Sequence, residues 1–215
     1  MIAFLQVFFI GIGVSFLGQL PLGNMNMIAT QLSVQEGVRG AWKFGLGIAI
    51  VEIIYLRIAL SGMNWVLQHM LLFNILTWAT VLFFLVLGVV TIVAASKQQK
   101  EAKGVLVQNK INRFFLGASL SAINPIQVPF WFTWTITLFN NGLLAPNFSS
   151  YNWFTIGAGL GTLGGIGVYI HGGKWAVNKM GAKNRGLNYI MGSIFIIAAL
   201  IQLYKNIQSP FGVPE

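Results

Sequence analysis

Six apolar stretches, each about as long as a bilayer is thick, leave this chain few folds to choose from. They lie near residues 4–23, 41–61, 70–95, 114–139, 152–172 and 187–205, and an α-helix needs about 20 residues to cross a hydrocarbon core of about 30 Å. Only 8% of the residues are charged, against about 25% in a soluble globular domain. So few charges cannot make a surface that faces water. The outside must face lipid, where only structures that satisfy their own backbone hydrogen bonds persist. The predicted fold is all-α and integral to the membrane, a single domain over residues 1–215 with six transmembrane helices. The connections are short except for 96–113, which reads SKQQKEAKGVLVQNKINR. This linker separates two half-repeats of three helices, about 1–95 and 114–215.

The net charge of +9 does not indicate nucleic acid, because the basic residues form short clusters between apolar runs instead of one stripe. They act as orientation signals. Arg39 and Lys43 follow the first span. Lys97, Lys100, Lys103, Lys110 and Arg113 fill the middle loop, and Lys174, Lys179, Lys183 and Arg185 follow the fifth span. These three alternate connections hold eleven of the 13 basic residues. Cytoplasmic loops are enriched in Lys and Arg, which predicts a multi-pass protein of the plasma (inner) membrane with both termini outside. Trp42, Trp65, Trp153 and Trp175 fall near the span ends, where indoles prefer to lie. No basic segment precedes the first apolar run and no small-residue cleavage site follows it, so it is expected to stay in the mature protein. Cysteine is absent, which excludes disulfides, thiol redox chemistry and thiolate metal sites.

The first apolar run continues without charge as far as Glu36, about 50 Å if it were one straight helix. It is interrupted at Gly18-Gln19-Leu20-Pro21-Leu22-Gly23-Asn24, where proline removes a donor and glycine loosens the turn. The fourth span is interrupted at Ser121-Ala122-Ile123-Asn124-Pro125-Ile126-Gln127-Val128-Pro129. Both breaks lie in the first helix of their own half. Each half crosses three times, so halves joined on one side of the membrane run in opposite senses. Matching breaks in two such halves predict an inverted-topology repeat with broken helices 1 and 4 and a solute site between the breaks. The unpaired backbone groups of a broken helix are tolerated only in protein or beside a cavity. No repeat of residue identity between the halves is evident. The expected cavity is lined by Gln19, Pro21, Gly23, Asn24 and Asn26 from one half and by Asn124, Pro125 and Gln127 from the other. Their amides both donate and accept, which suits a zwitterionic solute.

Of the four acidic residues, only Glu52 falls inside a span. If the second helix enters at Ala41, Glu52 is about 16 Å along it, near the midplane. Gly37, Ala41, Gly45 and Ala49 recur every four residues, and Glu52 stands seven after Gly45. It therefore shares the small-residue face that other helices pack against. An ionisable group at that depth is costly and points to function, which makes Glu52 the candidate proton-coupling group. Tyr55, three residues on, shares its face and is expected to hydrogen-bond the carboxyl or a solute. Arg57 lies about 140° around the helix from Glu52, so the two do not pair, and its side chain is expected to snorkel outward. His69 and His171 fall near span ends and are read as interfacial. The dense glycines of the fifth span, Gly157, Gly161 and Gly165 with Gly159, Gly164 and Gly167, predict close helix packing.

This combination resembles the LysE superfamily of small-solute exporters, and in particular its amino-acid exporter (LysE/RhtB-like) branch. The residues that carry the resemblance are Pro21-Leu22-Gly23-Asn24-Met25, then Gly45-Leu46-Gly47 ahead of Glu52, and Asn124-Pro125. Leu22 and Gly23 stand where that branch has a glycine and a second proline. The resemblance implies export of an amino acid or related metabolite as a secondary transporter, driven by the proton or ion gradient, in a homodimer. Its partners would be the solute, the coupling ion and the lipid bilayer. No cofactor and no metal is expected, since one intramembrane carboxylate without clustered histidines is a poor ligand set for a divalent ion. No catalytic residue is expected either: a His-Glu-x-x-His zinc site and paired carboxylates are both absent. The other reading open to a chain of this size is a substrate-binding membrane subunit of a multi-component uptake system.

The orientation is open to a direct test in this cysteine-free chain. A Lys100→Cys variant in intact cells is expected to resist a membrane-impermeant thiol reagent added outside. Labelling from outside would reverse the topology.

Overall fold

The computed structural model describes residues 2–21, 24–96, 111–180 and 185–208, so Gly23 and most of the Lys-rich linker lie outside the described residues. Those residues form eight α-helices: α1 Ile2–Gln19, α2 Asn24–Gln35, α3 Val38–Leu67, α4 Met70–Ser96, α5 Arg113–Ala122, α6 Gln127–Asn140, α7 Phe148–Met180 and α8 Arg185–Gln208. Val38–Leu67, Met70–Val93 and Phe148–Gly172 are long and apolar enough to cross a bilayer, and Phe4–Gln19 is a shorter apolar helix. The described residues are thus all helical or connecting, and their apolar helices are those of a membrane protein. The apolar residues along α4 that do not pack, including Leu71, Leu82, Val89 and Val90, present the surface that lipid requires.

Local sequence explains the ends. α1 stops two residues before Pro21, since the residue preceding a proline is pushed away from the helical conformation. The fourth apolar stretch is two helices, because Pro125 cannot continue α5. Asn124 Oδ1 accepts from Ile126 N at 3.2 Å to turn the chain, and Pro129 then falls in the first turn of α6, where a missing donor costs nothing. At the start of α5, the Asn112 side chain accepts from Phe114 N at 3.0 Å, an N-cap. Gly37 turns the chain from α2 into α3 at φ +89°, a conformation open to glycine and strained for other residues.

The packing rests on glycines. A Cβ on Gly157 of α7 would run into the Phe8 carbonyl of α1, and one on Gly11 of α1 would run into that of Phe154. The same reciprocal fit joins α3 to α5: Gly47 lies against the Phe114 carbonyl, and Gly117 against that of Phe44. All four helices present Phe-x-x-Gly, as Phe8/Gly11, Phe44/Gly47, Phe114/Gly117 and Phe154/Gly157. The same three-residue spacing therefore serves both contacts. Gly88 of α4 and Gly192 of α8 form a third reciprocal pair, each meeting the other's carbonyl at 2.9 Å from an added Cβ.

These contacts also fix relative directions. Phe8 faces Gly157 and Gln19 faces Gly165, so α1 and α7 run parallel. Trp42 faces Gly167 and Ile53 faces Gly159, so α3 and α7 run antiparallel. α2 is stitched to α7 by Thr30 Oγ1, which donates to Tyr169 O at 3.2 Å, and by Ser33 Oγ, which donates to Ile170 O at 2.6 Å. Arg113 at the head of α5 holds Glu36 beyond the end of α2 through two hydrogen bonds, Nε to Oε2 at 2.7 Å and Nη2 to Oε1.

Overpacking a close contact typically costs about 1–3 kcal/mol. Gly157→Ala and Gly117→Ala should each lower the melting temperature of the purified protein. At Gly13 an added Cβ meets nothing within 4 Å, and Gly13→Ala should leave it unchanged or raise it, since alanine is the better helix former. Equal melting temperatures for all three variants would remove the glycine contacts from the account of stability.

Candidate functional site

Both helix breaks converge on the middle of α3. Gln19 ends α1, Gln127 begins α6, and the amide nitrogens of both donate to the same oxygen, Oε1 of Glu52, at 2.5 and 2.9 Å. The other carboxyl oxygen accepts from Thr162 Oγ1 of α7 at 2.6 Å. Thr162 Oγ1 in turn lies 2.6 Å from Ser15 Oγ of α1. Gln127 Nε2 also reaches Ser121 Oγ at 3.1 Å. Glu52 is 4% exposed, and a buried carboxyl is tolerable only when hydrogen-bonded in this way. Here three donors from three elements supply the bonds.

The backbone groups freed by the breaks are met by side chains. Asn26 Nδ2 donates to Gln19 O at 2.6 Å and to Pro21 O at 3.0 Å, while the Tyr169 hydroxyl donates to Leu20 O. At the second break, the Tyr55 hydroxyl donates to Ala122 O at 2.7 Å. In water such carbonyls would be solvated; within a membrane each needs an internal partner.

Between the breaks lies a cavity of about 780 Å³, within the range of small-molecule sites. Gln19, Pro21, Asn26, Glu52, Asn124, Pro125 and Gln127 line it, together with Met25, Ile28, Leu87, Phe130, Trp131 and Phe195 among others. Among the described residues, Glu52 is the one ionisable side chain in the lining, with no Lys, Arg or His. Seven of the ten residues singled out from the sequence therefore meet around one space. Tyr55 is not among them; its hydroxyl is engaged at the end of α5. Gly23 and the side chain of Asn24 lie outside the described residues. Arg57 stands apart from Glu52, with its guanidinium 5.9 Å from the Phe148 ring centroid.

Sequence reasoning missed Thr162 and Ser15. The available signal was a hydroxyl amid the glycines of the fifth span: Thr162 sits between Gly161 and Gly164, on a helix whose other small residues leave no other polar group at that depth.

Leaving a buried acceptor without its donor costs about 1–3 kcal/mol. Thr162→Val should therefore lower the melting temperature, whereas Glu52→Gln, which keeps an acceptor for both glutamines and gains a donor toward Thr162, should lower it less. A Thr162→Val variant as stable as the parent would show that this bond contributes nothing.

Residues 16–206 match the family model described as LysE type translocator. No curated protein and no solved structure matches the chain.

Proposed function

The chain belongs to the LysE type translocator family, and as such is a membrane transporter of small solutes and not an enzyme; from that premise we propose that it exports amino acids or related metabolites in exchange for a proton. The observation that carries this reading is Glu52, a single buried carboxyl in the cavity wall that holds Gln19 of one break and Gln127 of the other on one oxygen. The site residues would be those named from the sequence that line the cavity, joined by Thr162 as partner to the carboxyl.

Charge-assisted hydrogen bonds are roughly twice as strong as neutral ones. An ionised Glu52 would bind both glutamine amides tightly and draw the two breaks together. On protonation Oε2 would become a donor to Thr162, whose hydroxyl would turn to Ser15, while both amide bonds weaken. Loss or gain of one proton would thus change how firmly the two halves are held at the cavity, which is what coupling solute movement to a proton requires. The amides of Asn26, Asn124 and Gln127 would meet a zwitterion, and the apolar residues around them its side chain.

A six-span inverted repeat is part of this reading. In its favour, α1 with α7 and α3 with α5 pair by the same Phe-x-x-Gly contact, as they would if the halves were exchanged, and α4 packs on α8 through one glycine from each. The plasma membrane location, the outside termini and the homodimer complete the proposal.

Purified protein in liposomes with an imposed pH gradient provides the test. The parent should concentrate solute against its gradient without any other protein. Glu52→Gln should lose that accumulation yet keep exchange of labelled for unlabelled solute, since exchange needs no net proton movement. A Glu52→Gln variant that still concentrates solute would eliminate Glu52 as the carrier, and a parent that moves nothing alone would favour a subunit of a larger uptake system.

A further inference from the structure

Eight buried side-chain polar atoms find no hydrogen-bond partner among the described residues, and six of them lie on two helices. On α6 they are Trp131 Nε1, Trp134 Nε1, Thr135 Oγ1 and Thr137 Oγ1; on α8 they are Gln202 Oε1 and Asn206 Nδ2. Side chains that merely glue membrane helices together pair donor with acceptor across the seam. Here donors and acceptors are left over inside the protein, where an unmet polar group is costly.

Both helices lead away from the cavity wall, α6 from Trp131 and α8 from Phe195. Beyond Phe195 on α8 come Gln202 and Asn206, about 10 and 16 Å further along the axis. Gln202 is 0% and Asn206 4% exposed. Gln202 Nε2 donates to Asn206 Oδ1 at 3.2 Å, and Asn140 Nδ2 at the end of α6 reaches the same oxygen at 3.5 Å. The cavity and this amide cluster are separated by rings: Phe84 of α4 meets Trp134 edge-on at 5.1 Å between centroids and stacks on Phe195 at 6.3 Å.

We propose that the seam between α6 and α8 is the second half of the solute path, closed here by the Phe84–Trp134 contact, with Asn140, Gln202 and Asn206 as the polar site the solute meets before release. The proposal rests on the transporter reading. None of the seam residues is ionisable, so the solute they suit is small and neutral or zwitterionic, with both donors and acceptors. Exchange of the halves points to the same gate. α4 packs against α6, and α2 makes no comparable contact with α8 among the described residues. Those two pairs are each other's counterparts, so parting the first and closing the second turns the cavity to the other face. The glycine-packed pairs need not change.

Impermeant methanethiosulfonate labelling of single cysteines in liposomes tests this without knowledge of the solute. Asn124→Cys is expected to react only from the face on which Lys100→Cys reacts, and Asn206→Cys only from the opposite face. Adding Trp134→Ala to Asn124→Cys should open labelling of position 124 from that opposite face. If Trp134→Ala proves unfolded by its melting profile, Phe84→Leu carries the same expectation. Position 124 still sealed in a folded gate variant, or position 206 labelled from the Lys100 face or from neither, would overturn the proposal. Flux is measured separately, so a chain that transports nothing fails that assay while leaving the labelling pattern to decide on the seam.

Discussion

Lipid is as apolar as leucine, so helices in a bilayer gain little by hiding apolar side chains from it and must be held by contact and hydrogen bonding. In this protein the contact is backbone against backbone. At Gly11 with Gly157, Gly47 with Gly117 and Gly88 with Gly192 the helices approach until a single methyl group would collide with a carbonyl or side chain of the partner. The position of everything else follows. α3 is drawn to α5 at Gly47 and lies against Ile166 of α7 at Gly45. Glu52, about two turns beyond Gly45, is thereby carried to where Gln127 and Thr162 can reach it.

The second constraint is that a polar group left unmet where water is absent is costly. A helix break frees carbonyls and amides that a membrane cannot solvate, and a carboxyl at the midplane raises the same difficulty in charged form. The fold answers both in one place. Asn26, Tyr55 and Tyr169 take up the loose carbonyls, while Gln19 and Gln127, standing at the broken ends, turn their amides to Glu52. The cavity left between them is polar where these groups show and apolar elsewhere.

Much of this was legible in the sequence. Span-length apolar runs, prolines at matching places in two halves and a lone carboxyl on a small-residue face are signals that a one-dimensional pattern carries directly. Other parts were not. Phe-x-x-Gly is too short to stand out until its four copies are seen to meet in pairs more than sixty residues apart. Ser15 and Thr162 carry no charge and break no helix, so nothing in the pattern sets them apart from ordinary packing hydroxyls. Tyr55 shares a helical face with Glu52, as its three-residue spacing requires, but a phenol reaches further than one turn, and its hydroxyl finds Ala122 instead. Spacing along a helix gives the direction of a side chain and not where its tip ends.

The glycine pairs share one further property: each joins a helix that precedes residue 97 to one that follows residue 112. Within the first half, α3 and α4 touch only sparingly, and the extensive partner of α1 is α7, over 140 residues later in the chain. The order of synthesis is therefore not the order of assembly. A ribosome that has just finished α1 has made a helix whose docking surface stays unfilled until α7 follows it. During that interval the nascent chain must wait among lipids with its glycine face bare, so the burden of quality control falls on the membrane insertion machinery and on whatever shields an unpaired span there.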